Sequence, residues 1–167
     1  MSQRVDYMKV APAATKAMLG LQAAVDHSGL EQSLIELLKL RASQINGCAY
    51  CIDMHSKDAI AMGETAQRLF LLDAWREAPF YSSRERAGLL WCETLTLVAE
   101  RGAPDDVYEQ VRNEFSEEEV ANLTLAIVAI NGWNRFMVGF QGEPGNYDPA
   151  SNPKIAKLKR ETVGASA

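Results

Sequence analysis

Hydrophobic residues recur at helical spacing along almost the whole chain, and this periodicity restricts the fold more than any other feature. No run of alternating, β-branched residues bounded by turn residues interrupts it. Apolar residues three and four positions apart lie on one face of an α-helix, whereas strict alternation is typical of a strand. The sequence therefore predicts an all-α protein, and 167 residues are enough for one domain with a substantial core.

Glycine, proline and hydroxyl residues divide this pattern into separate helices. Gly47 is placed to end one helix in a left-handed conformation, and Thr65 to cap the start of another. Ser82 and Ser116 are each followed three residues later by glutamate, which is the pattern of a capping box. The predicted helices are, in chain order, 13–27, 31–46, 48–63, one that Thr65 caps and that stops before Pro79, one after Ser82, a short one whose first residue is Pro104, and 117–138.

The chain is expected to form a single domain over residues 1–167. Its core should occupy about 13–139, followed by a mostly irregular C-terminal tail at 140–167, because glycines and prolines break regular structure there. The predicted helix at 117–138 is apolar nearly all round, which is typical of a helix buried in a bundle or between subunits. The sequence thus predicts a homo-oligomer.

Charge and composition argue against two classes of partner. The formal net charge is −5 and the basic cluster at 154–160 is expected to be an exposed tail, so no nucleic-acid partner is expected. The longest apolar run, at 123–130, is far shorter than the roughly 20 residues of a membrane span. The three cysteines cannot all pair and no N-terminal leader pattern is present, so we expect a cytoplasmic protein outside the membrane.

Two cysteines at CxxC spacing, Cys48 and Cys51, are the chemically most informative residues. Positions three and four apart share a helix face, so Cys48, Cys51 and His55 should be stacked together. A cysteine in the first turn of a helix lies near unpaired backbone N–H groups and the positive end of the helix dipole, which favour its thiolate. A dithiol beside a titrating imidazole indicates redox chemistry.

Other residues have simpler interpretations. Cys92 lies in an apolar helical segment and is expected to be a core residue. The helical wheel puts Glu36 on the polar side of its helix near Lys39, so the wheel alone predicts a solvated side chain. A histidine by itself is most often structural, but His55 lies one turn after Cys51 and is therefore a credible base.

A zinc-stabilised helical module is one alternative. The CxxC pair and His55 offer three ligands. The residues that could supply a fourth are Glu36, His27 and Cys92. Structural zinc sites usually take ligands from separate knuckles, and this chain has no second close cysteine pair, so no metal is expected. The other alternative is a non-catalytic redox sensor, in which the same disulfide changes an interaction surface.

Glu36, eleven residues, the CxxC pair, three residues and His55 form a pattern that resembles the motif of the AhpD-like alkylhydroperoxidases. This family lies within the carboxymuconolactone decarboxylase superfamily. Residues 130–136 are also similar to the family's last core helix, so the resemblance spans about 13–139. It implies an AhpD-like helical bundle that oligomerises and works without a bound cofactor.

By position, the resemblance also implies roles for the site residues. Cys51 would be the peroxidatic cysteine and Cys48 the resolving one, while His55 and Glu36 would relay protons. The substrate would be a hydroperoxide, and an external dithiol would reduce the disulfide. Tyr50 stands where the best-known members carry a second histidine. The helix start favours Cys48 as the more activated thiol, but the placement of His55 favours Cys51, and we assign Cys51.

Overall fold

The structure is a computed structural model that describes residues 3–156. These residues form α-helices and two short 3₁₀ helices, with no β-strand among them, so the all-α prediction is confirmed. The α-helices whose two ends are both described are α1 (Tyr7–Val10), α2 (Pro12–Asp26), α3 (Gln32–Ile45), α4 (Ala49–Ala61), α5 (Ala66–Phe70), α6 (Ser83–Thr96), α7 (Val98–Arg101), α8 (Asp105–Arg112) and α9 (Glu117–Phe140). The 3₁₀ helices are Leu72–Ala74 and Pro149–Ser151.

Helix α3 is the centre of the bundle. It packs against α4, α6 and α9, and α9 also packs against α2. Its buried residues include the polar side chains of Glu36, Lys39 and Ser43. The full set of buried residues is Leu34, Ile35, Glu36, Leu37, Leu38, Lys39, Leu40, Ala42 and Ser43. A helix that is buried on nearly all sides occupies the interior of a bundle. The central position of α3 therefore carries charged side chains into the protein.

The helix ends follow the sequence signals. Ser82 and Ser116 cap α6 and α9 with complete capping boxes, and the Thr65 side chain accepts a backbone hydrogen bond at the start of α5. Gly47 has a φ of 64°, in the left-handed region that favours glycine. The turn at Gly47 separates α3 from α4 and makes Cys48 the N-cap residue of α4.

Several helices differ from the prediction in their presence or their bounds. The sequence does not predict α1, because four residues give no periodic signal. The single helix expected before Pro79 ends at Phe70 instead, and a 3₁₀ helix follows. There Leu72 is fully buried, and the indole N–H of Trp75 donates to a carboxylate oxygen of Glu93 at 2.9 Å, so tertiary contacts override the local helical pattern. Helix α8 begins one residue later than expected.

Residues 141–156, here named the C-terminal segment, fold back onto α4. Lys57 of α4 donates to the carbonyl oxygen of Gly145 at 3.2 Å, and the backbone N–H of Gly145 donates to Asp53 at 2.9 Å. Ile155 is completely buried. This segment has little regular structure, but it packs against the helix that carries the CxxC pair. The division into a core at 13–139 and a tail stays a prediction.

Lys154 corrects one expectation about this segment. Instead of lying in an exposed tail, its side chain is 29% exposed and its ammonium pairs with Asp26 of α2 at 2.6 Å. It also donates to the side chain of Gln32 at 2.9 Å. The other residues of the predicted basic cluster lie outside the described part of the chain, and they are Lys157, Lys159 and Arg160.

Helix α9 is long and apolar enough to cross a membrane by length and composition alone. In the bundle, Leu123, Ile127 and Ile130 of this helix are buried in the core, while Val128 and Val138 are about half exposed. The core helix of a soluble protein meets the same criterion, and the described residues form a helical domain of that kind. The cytoplasmic location stays a prediction.

Candidate active site

The two cysteines of the CxxC pair lie below the surface at the start of α4. Cys48 is the N-cap residue, Cys51 lies in the first turn, and each residue is only 1% exposed. Their sulfur atoms are 2.7 Å apart, and both are free thiols. A disulfide has a sulfur–sulfur distance of about 2.05 Å, so a small movement of the side chains is enough to form one. The structure thus brings the two predicted cysteines together without a bond between them.

The two thiols titrate together. The hydrogen bond with Cys51 lowers the pKa of the Cys48 thiol to about 7 against the opposing effect of burial, and the backbone N–H of Cys51 adds to the lowering. The same hydrogen bond, with burial, raises the pKa of the Cys51 thiol well above its usual range. Near neutral pH the pair therefore loses one proton, and the negative charge is centred on Cys48.

Polar side chains of α3 and α9 meet beside the sulfur atoms. The side chain of Asn134, 1% exposed, donates to Ser43 at 3.0 Å and accepts from Asn46 at 2.8 Å. Asn134 also lowers the pKa of both thiols, because a hydrogen-bond donor near sulfur favours negative charge. Sequence reasoning did not include Asn134 in the site. The available signal was an asparagine within an otherwise apolar helix, which does not reveal what the side chain faces.

Glu36 is buried beside His55, so the solvated position that the helical wheel predicts is wrong. The Glu36 side chain is 3% exposed. Its Oε2 lies 2.8 Å from Nδ1 of His55, and its Oε1 accepts from the ammonium of Lys39 at 2.9 Å. The wheel correctly groups Glu36 with Lys39, but that side of α3 faces the interior and α4 instead of water.

The surroundings of Glu36 keep it ionised. Burial alone raises the pKa of Glu36, but Lys39 and His55 outweigh burial and hold the pKa well below its usual range. A carboxylate that stays ionised near neutral pH acts through charge and orientation. The contact with Glu36 favours the tautomer of His55 that carries its proton on Nδ1, which leaves Nε2 as the nitrogen that accepts a proton.

A second buried carboxylate, Asp58, lies one turn after His55 and is absent from the predicted site. Its Oδ1 accepts from the hydroxyl of Tyr147, and its Oδ2 accepts from the side chain of Asn152, each at 2.8 Å. One atom each of Glu36, His55 and Asp58 lie within 4.8 Å of one another. Burial raises the pKa of Asp58, although the hydrogen bonds from Tyr147 and Asn152 oppose the shift. The available signal was the three-residue spacing from His55.

A pocket of about 290 Å³ opens onto these residues. Cys51, His55 and Asp58 line it, whereas Cys48 does not. The rest of the wall is largely apolar and aromatic and includes Tyr7, Tyr50, Met54, Trp133 and Met137. A small molecule that enters this pocket therefore meets the sulfur of Cys51 rather than that of Cys48.

The described residues do not fit a zinc ion. Among residues 3–156, the acidic, histidine and cysteine side chains that approach closely enough to share a metal are Glu36, His55 and Asp58, without either cysteine of the CxxC pair. Each carboxylate oxygen of this cluster already accepts a hydrogen bond from a protein group, one of them from the ammonium of Lys39. A cation would have to displace these donors, so the cluster is a hydrogen-bonded network instead of a ligand set.

Cys92 lies in the core, as the sequence predicts. It is completely buried on α6, and its thiol donates to the carbonyl oxygen of Leu38 at 3.3 Å. Burial raises the pKa of the Cys92 thiol to about 12. A thiol with this pKa carries almost no reactive thiolate near neutral pH.

Comparison with known proteins identifies relatives at two levels. The uncharacterised protein YdfG of Bacillus subtilis is 45% identical over 138 residues, which are 83% of this chain and 94% of YdfG. A protein of unknown function from Agrobacterium tumefaciens, suggested to be the antioxidant defence protein AhpD, is 47% identical. Its crystal structure has a TM-score of 0.84 and covers 87% of this chain and 100% of its own.

A more distant structure shares the fold alone. An uncharacterised peroxidase-related protein from Silicibacter sp. TM1040 is 21% identical, with a TM-score of 0.69 over 78% of this chain and 70% of its own. Residues 12–94 of this chain match the carboxymuconolactone decarboxylase family, and this range contains Glu36, the CxxC pair and His55. The chain therefore belongs to the carboxymuconolactone decarboxylase family, and its fold is AhpD-like.

Proposed function

We propose that this protein is a peroxidase that reduces hydroperoxides through a disulfide between Cys48 and Cys51. The observation that carries the proposal is the position of Cys51, 2.7 Å from a second thiol and on the wall of a pocket that His55 also lines. A nucleophilic sulfur, a resolving sulfur and a base in one small volume are what two-cysteine peroxide reduction requires. Membership of the family and the antioxidant description of the A. tumefaciens relative support this role.

The proposed cycle has three steps. The thiolate of Cys51 attacks the terminal oxygen of the hydroperoxide, so that a sulfur–oxygen bond forms, the oxygen–oxygen bond breaks and an alcohol leaves. The sulfenic acid on Cys51 then condenses with the thiol of Cys48, which releases water and forms the disulfide. An external dithiol reduces the disulfide by thiol exchange and is itself oxidised.

Accessibility assigns the two sulfur atoms their roles in this proposal. Cys48 has the lower pKa, but the sulfurs are 2.7 Å apart, so a proton can pass between them within the singly ionised pair. Either thiolate is then available, and the one that a substrate can reach reacts. Cys51 lines the pocket, so we assign it as the peroxidatic cysteine and Cys48 as the resolving one.

His55 and Glu36 act together in the proposed proton relay. His55 Nε2 takes the proton of the thiol, and Glu36 orients the ring through Nδ1 and stabilises the imidazolium. Because Glu36 is held ionised, it contributes to the relay through its charge and its hydrogen bond.

The pocket wall favours organic hydroperoxides over hydrogen peroxide. Tyr7, Tyr50, Met54, Trp133 and Met137 offer apolar and aromatic surface. An alkyl or aryl group buried against such a wall gains roughly 25 cal/mol per Å² of apolar surface, which hydrogen peroxide cannot gain. Tyr50, which replaces the family's second histidine, contributes to this wall.

Stopped-flow oxidation of the reduced protein tests the proposal. We expect cumene hydroperoxide and, more slowly, hydrogen peroxide to remove two thiols per chain, and excess dithiothreitol to sustain many turnovers. If the thiols are oxidised once but no dithiol sustains turnover, the protein is the redox sensor of the alternative interpretation. If neither peroxide changes the thiol count, both proposals fail.

We further propose that the protein works as a homo-oligomer in the cytoplasm, with hydroperoxide and an external dithiol as its partners. Half-exposed apolar residues on α2 and α9, including Leu19, Val128 and Val138, support assembly through helical faces.

A further inference from the structure

Two buried carboxylates flank His55, and their surroundings differ. Glu36 accepts from the ammonium of Lys39, whereas Asp58 accepts only from the neutral groups of Tyr147 and Asn152. A carboxylate paired with a cation resists protonation, while a buried carboxylate without one takes up a proton more readily. When two carboxylates around one base have environments that push their pKa values apart, their roles in acid–base chemistry differ.

Asp58 is also placed for proton exchange with His55. It lines the same pocket as Cys51 and His55, and it follows His55 by one turn of α4. Its carboxylate and the His55 ring have atoms within 4.8 Å of each other. One water molecule or a small side-chain rotation bridges this distance.

We propose that Asp58 holds the proton that leaves the thiol through His55, and that the C-terminal segment keeps Asp58 in place through Tyr147 and Asn152. The inference rests on the proposed peroxidase function, because it assigns the route of the proton in the first step of that cycle. Asp58 acts through His55 and does not touch the reacting atoms, so it is a positioning residue.

Every proton in this step has a donor and an acceptor. The S–H bond of Cys51 breaks as Nε2 of His55 takes the proton, and the proton then moves to Asp58, which becomes a carboxylic acid. The thiolate attacks the hydroperoxide, and the alkoxide that leaves takes the stored proton back through His55 to become the alcohol. The thiol and hydroperoxide have become a sulfenic acid and an alcohol, and Asp58 is again a carboxylate.

The charges around the pocket are consistent with a proton stored on Asp58. Glu36 and Lys39 form an ion pair, and Asp26 and Lys154 form another at 2.6 Å. One ionised carboxylate, Asp58, then remains without a cationic partner among the described residues that line the pocket. The titratable and charged groups that line it are Tyr7, Asp26, Glu36, Lys39, Tyr50, Cys51, His55, Asp58, Tyr147 and Lys154.

The test compares Asp58→Asn with Asp53→Asn as a matched control. Both aspartates are on α4 and both hold the C-terminal segment, but Asp53 does so through Gly145 and Lys57 and does not line the pocket. The measurement is the single-turnover oxidation rate of the full-length reduced protein with cumene hydroperoxide across the pH range. A parallel series measures alkylation of the thiols by iodoacetamide, which needs no peroxide.

Asp58→Asn should lower the oxidation rate at neutral pH by about 10-fold or more and remove the acidic limb of the pH profile. Asp58→Asn should also slow alkylation of the thiols below neutral pH, because the variant cannot take up the thiol proton. If Asp58 acted only through its negative charge, its loss would favour the thiolate and speed alkylation. Asp53→Asn should keep the wild-type profile. Tyr147→Phe keeps the carboxylate but removes a donor to its ionised form, so it should move the acidic limb to higher pH.

A wild-type profile in Asp58→Asn, faster alkylation in that variant, or the same losses in Asp53→Asn would overturn the inference. If Asp58→Asn does not fold, an unmoved acidic limb in Tyr147→Phe overturns it instead. Failure of the wild-type protein to react with any hydroperoxide would defeat the proposed peroxidase function, and the alkylation series would still decide the role of Asp58.

Discussion

At the scale of single residues, each thiol of the CxxC pair is the main influence on the pKa of the other. Cys51→Ala removes the hydrogen-bond donor, so the pKa of the Cys48 thiol should rise from about 7 toward its ordinary value of 9.0. A lowered pKa means that the thiolate is present above it, so the ultraviolet absorbance of the thiolate should rise near pH 7 in the wild-type protein and at higher pH in the variant.

Two controls accompany this titration. Cys51→Ser keeps a hydroxyl that can donate, so its shift should be smaller. Cys92→Ala should leave the titration near pH 7 unchanged, because the Cys92 thiol has a pKa of about 12. An unshifted midpoint in Cys51→Ala would show that the hydrogen bond between the thiols does not set the pKa of Cys48.

Glu36→Gln should destabilise the fold, because it leaves the ammonium of Lys39 buried without its partner. Breaking a buried pair by removing one member costs roughly 3–5 kcal/mol in the free energy of unfolding. Adding Lys39→Met should recover most of this loss. Urea unfolding of wild type, single variant and double variant at neutral pH measures the effect.

The pH dependence of this loss has a defined sign. The folded-state pKa of Glu36 is depressed, so its stabilising contribution is fully present above its ordinary pKa of 4.5 and is lost as the pH falls further. The difference between wild type and Glu36→Gln should therefore shrink in acid. A single variant as stable as wild type at neutral pH would contradict the buried ion pair.

The sequence could pair Cys48 with Cys51 because both belong to one helical segment, where periodicity alone determines the shared face. His55 of the same segment lines the same pocket as Cys51. The sequence could not show from periodicity that Glu36 is buried, because that depends on which side of α3 faces another helix. Asp58 and its contacts depend on a segment about 90 residues further along the chain, and local patterns carry no information about such contacts.

At the scale of the elements, two glycines should respond to alanine in opposite directions. Gly47 has a φ of 64° at the end of α3, so Gly47→Ala should destabilise the fold by about 1 kcal/mol through backbone strain. Gly20 lies within α2, and a Cβ there meets open space, so Gly20→Ala should stabilise by about 0.5–1 kcal/mol. Urea unfolding of both variants checks this, and equal effects of one sign would contradict the assigned backbone conformations.

Helix starts and stops were the most predictable elements, because a cap is a local hydrogen bond between neighbours in the sequence. Ser82, Ser116 and Gly47 illustrate this. The break after Phe70 was not predictable, because burial of Leu72 and the contact of Trp75 with Glu93 decide it. The C-terminal segment likewise owes its position to contacts with α4 rather than to its own composition.

At the scale of the whole molecule, apolar surface remains on α9 after the bundle has formed. Val128 and Val138 are 53% and 50% exposed. We expect sedimentation velocity at micromolar concentration to show no dominant monomer, and Val128→Ser to weaken the assembly. Val98→Ser, which changes an equally exposed valine on α7, should leave it unchanged. A monomer of 18.4 kDa in the wild-type protein would contradict assembly through α9.

The most direct test of the proposed two-cysteine cycle is peptide mapping of the protein after one equivalent of cumene hydroperoxide, in wild type and in the two serine variants. We expect a disulfide between Cys48 and Cys51 in wild type, a trapped sulfenic acid on Cys51 in Cys48→Ser, and no oxidation in Cys51→Ser. A dominant disulfide to Cys92 in wild type would contradict the proposed pairing. A sulfenic acid on Cys48 in Cys51→Ser, together with no sulfenic acid on Cys51 in Cys48→Ser, would show that the roles of the two cysteines are reversed.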